Sequence, residues 1–125
     1  MYRVRYTKGG YMETDEYLTF IETSIFEKQR QLLMSDEEYQ KFQAYLLEHH
    51  ELGDFIQNTG GCQKIRWKLS DNNKGKSGGV RIIYYTLVRR GKLFLMMIYS
   101  KSKQDNMNEK EKAMLKEVVS LLNEE

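Results

Sequence analysis

Over residues 62–69, CQKIRWKL, apolar and polar side chains alternate: Ile65, Trp67 and Leu69 take one side, and Lys64, Arg66 and Lys68 the other. A period of two predicts a strand with one buried and one wet face. VRIIYYTL (80–87) and KLFLMMIY (92–99) read as two more strands, joined by the turn RRG, and their close spacing predicts an antiparallel meander. YLTFIE (17–22) is a further strand, and YRVRYT (2–7) alternates well enough to pair with a later one. The period changes in SIFEKQRQLL (24–33), a short helix with Ser24 as candidate N-cap. A second helix opens at Ser35 with Glu38 three residues on, the spacing of a capping box, and carries Tyr39, Phe42 and Leu46 as an apolar stripe before Gly53. Asn108 and Glu111 repeat that box ahead of a last helix, whose apolar side is assigned to Met114, Leu115, Val118, Val119, Leu121 and Leu122. The expected fold is α+β: a small antiparallel sheet with the N-terminal helices packed on one face and a C-terminal helix. Residues 1–16 read as an N-terminal extension and 17–125 as a single domain.

The length of 125 residues suits one domain. The lone cysteine, Cys62, excludes an internal disulfide and fits a reduced, cytoplasmic setting. No apolar run is long enough to span a bilayer, so no membrane partner is expected. One cysteine with no nearby histidine argues against a zinc site, and neither a metal nor a cofactor is expected. His49 and His50 read as a last-turn pair that complements the helix dipole, in preference to a catalytic pair.

Charge changes the picture. Residues 62–103 hold eleven cations and one acid, Asp71, a net of +10; the whole chain carries +2, so the remainder carries −8. A sector of one sign draws polyanions. Within it lies GKS (75–77), the tail of a nucleotide-binding loop. That motif needs glycine five residues before the lysine-preceding glycine and a helix after it. Ser70 stands at the first position and a strand follows, so the nucleotide reading fails. A nucleic-acid backbone fits better. Lys64, Arg66 and Lys68 are spaced roughly 6.6 Å apart along a strand, close to the step between phosphates of a single strand. Lys74 and Lys76 lie on the adjoining loop, Gly78 and Gly79 permit close backbone approach, and Arg81 enters from the next strand. Tyr84, Tyr85 and Tyr99 offer rings for a base. RNA supplies its own nucleophile, the 2′-hydroxyl; the cations stabilise the phosphorane-like charge, and a lysine crowded by like charges holds its proton less tightly.

LSDEEYQKFQAYLL, LGDFIQNTGGCQKIRW, KGKSGGVRIIYY and LMMIYSKSKQDNM together resemble the HigB-like branch of the RelE/ParE toxin superfamily over roughly residues 18–122. The resemblance implies a bacterial toxin of a type II toxin–antitoxin pair, a RelE-like fold, and metal-free mRNA cleavage in the ribosomal A site. Its implied partners are the ribosome and mRNA, and a cognate antitoxin, expected to be a small helix-turn-helix protein. The matching positions are Lys64 and Arg66 on the central strand, Arg81 as holder of the scissile phosphate, and Lys101 after the last strand. Lys68, Lys74, Lys76, Tyr85 and Lys103 are expected to bind RNA, and Lys64 to act as base. Gln63 stands where this branch commonly has Arg, Ser102 where RelE proper has Arg, and no Tyr occurs at 103–110. Two other readings stay open: a gyrase-inhibiting toxin of the ParE kind, and a non-catalytic RNA or ribosome binder.

Overall fold

The computed structural model describes residues 2–7, 17–69, 79–87, 90–101 and 107–124. Among them the chain forms β1 (Tyr2–Thr7), β2 (Tyr17–Glu22), α1 (Ser24–Leu33), α2 (Asp36–His49), a 3₁₀ turn (His50–Leu52), β3 (Asp54–Phe55), β4 (Gln63–Trp67), β5 (Val80–Leu87), β6 (Lys92–Ser100) and α3 (Glu109–Asn123). The strands make one sheet in the order β1-β2-β6-β5-β4-β3. The β4–β5–β6 meander is antiparallel as expected, whereas β2 runs parallel to β6, with Phe20 opposite Leu93. The sheet is therefore mixed. A parallel neighbour needs a long crossover, and here α1, α2 and the strands after them all lie between the two paired segments.

Each face of the sheet has its own core. On one, Phe26 of α1 and Tyr39, Phe42, Leu46 and Leu47 of α2 pack on Leu18, Phe20, Ile65, Ile82, Tyr84, Leu93, Leu95 and Ile98. On the other, Leu115, Val119 and Leu122 of α3 pack on Ile21, Cys62, Ile83, Leu87, Phe94, Met96 and Tyr99. Fully burying a large aliphatic or aromatic side chain is worth about 1.5–3 kcal/mol, so the central strands, covered on both sides, carry much of the stability. The expected apolar side of α3 was too wide. Leu115, Val119 and Leu122 recur at one helical face, while Met114 and Leu121 are 57% and 59% exposed. Met114 lines an apolar groove of about 300 Å³ with Ile25, Met96, Met97 and Val118.

The caps follow side-chain chemistry. Asn108 and Glu111 form the expected reciprocal box. Ser35 Oγ accepts from the Glu38 amide at 3.1 Å, and Glu38 Oε2 accepts from the Trp67 indole N–H at 2.8 Å, tying the start of α2 to the end of β4. The α1 cap is Thr23, not Ser24: its hydroxyl accepts from the Phe26 amide at 3.0 Å and donates to the Met96 carbonyl on β6 at 2.8 Å. Tyr84 is fully buried; its hydroxyl donates to the His50 carbonyl at 2.7 Å and accepts from the Gly53 amide at 3.1 Å. Burial pushes that phenol up to about 12.

One buried charge has no simple place in this core. Glu22 ends β2 and is 1% exposed. The Tyr39 hydroxyl donates to its Oε2, Oε1 has no hydrogen-bond partner among the described residues, and the Arg30 guanidinium lies 4.6 Å from the Tyr39 ring centre. Desolvation raises the Glu22 carboxyl above its ordinary value, and outweighs the opposing hydrogen bond from Tyr39 and the charge of Arg30. A folded value above the unfolded one means that the proton stabilises the fold. That contribution is complete below the unfolded value, about 4.3, and is lost as pH rises through the folded value. Glu22→Gln should therefore raise stability at neutral pH, by about 1 kcal/mol. In urea titrations its advantage over the native chain should shrink toward pH 4.5; an advantage that does not change with pH would contradict this account.

Candidate nucleic-acid interface

Strand register decides which cations meet. Opposed residues of adjacent strands point to the same face. Lys64 lies opposite Ile83, and Ile83 opposite Met97; Arg66 lies opposite Arg81, and Arg81 opposite Tyr99. Ile83 and Tyr99 belong to the α3-side core, so Lys64, Arg66, Arg81 and Tyr99 all stand on that face. Adjacent strands lie roughly 4.8 Å apart, and the row Arg66–Arg81–Tyr99 spans about twice that. Lys101 follows Tyr99 by two positions; its amide donates to the Gly79 carbonyl at 3.3 Å and its side chain is exposed. Lys68, just past β4, is exposed as well. Lys74, Lys76 and Lys103 lie outside the described residues, as do Gly78 and Ser102.

The depth of these cations is graded. Arg66 is exposed, Lys64 is half-buried, and Arg81 is 3% exposed. Arg81 is no edge cation: β5 is an interior strand, and the α3-side core begins beside Arg81 at Ile83 and Tyr99. Gly79 differs from its expected role. It has φ +78°, and a Cβ there would come 2.1 Å from the Trp67 carbonyl oxygen, so its close approach is to the protein's own β4 and not to a ligand.

The aromatic candidates separate. Tyr84 faces the opposite core and is fully buried. Tyr85 shares the α3-side face but lies four residues along β5 from Arg81, about 13 Å away. Its hydroxyl bonds with the Asn123 side chain of α3, and its ring stacks 6.5 Å from Phe94. Tyr99, 7% exposed, is the ring set beside Arg81. Gln63 lies on the other face, where its amide donates to the Gly53 carbonyl at 3.0 Å. By strand alternation, an arginine in its place would not join the cationic face.

The neighbouring groups narrow the chemistry. Cys62 is buried, and desolvation pushes its thiol up to about 11, which makes it a poor nucleophile at neutral pH. His49 and His50 sit at the end of α2, across the sheet from the cations: His49 packs on the Tyr45 ring, and the His50 carbonyl serves Tyr84. No group of three or more His, Cys, Asp or Glu with metal-binding proximity occurs among the described residues. The cationic face thus offers charge and hydrogen-bond donors to a phosphodiester, with Asp54 of β3 set opposite Lys64 by the register.

The family model described as RelE toxin of the RelE/RelB toxin–antitoxin system matches residues 48–124, which is more than half the chain. The chain belongs to the RelE toxin family. The matched stretch runs from the end of α2 through α3 and contains the whole cationic face. A mutant of the E. coli toxin RelE in the free state superposes with a TM-score of 0.52 at 16% identity, covering 76% of this chain and 92% of that one. The toxin–antitoxin complex RelBE of E. coli matches with a TM-score of 0.49 at 19% identity, over 65% of this chain and 93% of that one. At 16% identity the likeness to the free RelE structure is one of fold.

Burial makes Arg81 a structural residue as well as a candidate functional one. Arg81→Ala should lower the unfolding free energy by about 1–3 kcal/mol, because its stem packs in the sheet, while Arg66→Ala should stay within about 0.5 kcal/mol of the native chain. Urea denaturation of both variants checks this, and equal stabilities would mean that Arg81 is not held by the core.

Proposed function

We propose that this chain is a RelE-family toxin of the HigB-like kind, an mRNA endonuclease that acts on the ribosome. The observation that carries the proposal is the alignment of Lys64, Arg66 and Arg81 on one sheet face, within the segment that the family model matches. In this reading the exposed Arg66 and Lys68 meet the RNA backbone first. Arg81, held in the sheet beside Tyr99, then clamps the scissile phosphate. A buried, preoriented guanidinium stabilises developing charge better than a solvated one. Lys64 and Lys101 stand on opposite sides of Arg81, on β4 and after β6. Lys64 takes the proton of the 2′-hydroxyl, the 2′-oxygen forms its bond to phosphorus, and the bond to the 5′-oxygen breaks. Lys101 supplies the proton to that leaving oxygen. Lys74, Lys76 and Lys103 extend the cationic track. A cognate antitoxin carrying acidic residues and apolar anchors neutralises this face, in keeping with the family's pairing of toxin with RelB.

Cell-free translation with the purified protein, followed by primer extension on the message, tests the proposal. Cleavage should leave a 5′-hydroxyl and a 2′,3′-cyclic or 3′-phosphate, and should survive EDTA treatment of the toxin once ribosomal magnesium is restored. Lys64→Ala should slow cleavage about a hundredfold or more, as expected on losing a general base, and Lys68→Ala far less. A message with a 2′-deoxy nucleotide at the scissile position should resist. Cutting of that message at the normal rate would make water the nucleophile and overturn the mechanism, and inhibition of translation without cleavage would make the protein a binder.

A further inference from the structure

The strand that carries the cations ends in a ring on its other side. Trp67 is the last residue of β4 and lies between Arg66 and Lys68 in sequence, both exposed. It is half-buried. Its indole meets Phe42 edge-on at 5.3 Å and 72°, and lies 5.4 Å from the Tyr45 ring at 51°. Tyr45 in turn lies 4.6 Å from the His49 ring at 40°. Phe42 is fully buried, whereas Tyr45 and His49, one turn apart on α2, are half-buried like Trp67. The rings therefore run from the core outward, along the lip between α2 and β4.

Two further facts point to a ligand. The indole N–H, the only polar group of the side chain, is already taken by Glu38 Oε2 at 2.8 Å. That bond fixes the ring and leaves only its π-face to offer. In addition, β3 pairs with Gln63 and Lys64 alone, so the outer edge of β4 from Ile65 to Trp67 has no strand beside it among the described residues. A polymer can cross that edge. Neighbouring residues of a strand, with Cα atoms about 3.8 Å apart, point to opposite faces. Cation and ring thus flank one strand edge within the span of a nucleotide.

We propose that Trp67, Tyr45 and His49 form a stacking platform for an unpaired base, and that a single-stranded RNA crosses the edge of β4 beyond its pairing with β3, with its phosphates on Arg66 and Lys68. The proposal rests on the RNA reading above and extends its site to the α2 side of the sheet. A saturated indole N–H makes the platform a reader of base planes and not of base identity. It holds nucleotides flanking the cleaved bond.

Trp67 is the chain's single tryptophan, so its emission reports the platform directly. The protein is titrated with a short oligoadenylate, with an abasic ribose-phosphate oligomer of equal length, and with oligoglutamate, while anisotropy of end-labelled oligomers reads binding independently. Oligoadenylate should quench Trp67 strongly. The abasic oligomer should bind by charge without quenching, and oligoglutamate should leave the emission unchanged. Tyr45→Leu and His49→Ala, at half-buried positions, should each weaken oligoadenylate binding, Tyr45→Leu by about tenfold, and leave abasic binding unaltered. Oligoadenylate that binds by anisotropy with Trp67 unquenched, or with full affinity to both variants, overturns the platform and leaves the RNA reading standing. Quenching by oligoglutamate equal to that by oligoadenylate would make the lip a peptide site and overturn it too. Failure of any RNA to bind at about 1 mM, above the usual range of non-specific affinities, overturns both readings.

Discussion

The register of β4, β5 and β6 is the constraint on which everything else depends. β5 is covered on both faces, so its residues must sort strictly: Ile82 and Tyr84 into one core, Ile83 and Leu87 into the other. A slip of one residue would exchange those sets, and would also part Arg66 from Arg81 and Arg81 from Tyr99. Core packing thus aligns the cations without any attraction between them, since like charges opposite one another repel. The apolar burial of two cores outweighs that repulsion. The irregularity between Ile83 and Tyr84 lets β6 place Met96 and Met97 together toward α3 while keeping Leu95 on the α2 side.

From this frame follows a division of labour across the sheet. The α2 side contributes packing, the Glu38–Trp67 tie and a lip of rings; the α3 side contributes cations in order of depth. Membership of the RelE family fits a molecule whose +10 sector is concentrated on the meander, while acids populate the helices. The sector needs no carboxylate of its own if its task is to hold a phosphodiester whose nucleophile comes with the substrate.

Much of this was legible in the chain because period and charge are local signals. Alternation in CQKIRWKL placed Ile65, Trp67 and Leu69 against one core and Lys64 and Arg66 on the other face. The stripe Tyr39, Phe42, Leu46 is buried as expected, and the boundaries of β2, α1 and β5 agree with the pattern. What escaped depends on tertiary partners. Thr23 outcompetes Ser24 as a cap because its hydroxyl also reaches β6. The parallel pairing of β2 with β6 leaves no mark in either segment. Arg81's burial could not be read, because arginine is seldom so enclosed, even though the expected meander already put its strand in the middle. Gly79 signalled a close approach, but not that the neighbour was Trp67. The half-buried rings of Tyr45 and His49 had a helical spacing of four, yet nothing local tied them to a tryptophan on a strand.

Cys62 has a practical consequence. It begins the meander, is fully enclosed beneath α3, and its thiol stays protonated at neutral pH. A cysteine introduced on the surface, for instance at Leu32 or Leu52, both well exposed, would be the reactive thiol in the folded protein. Fluorophores, spin labels or crosslinkers could then be attached at one chosen point without removing the native sulfur, whose packing the α3-side core uses.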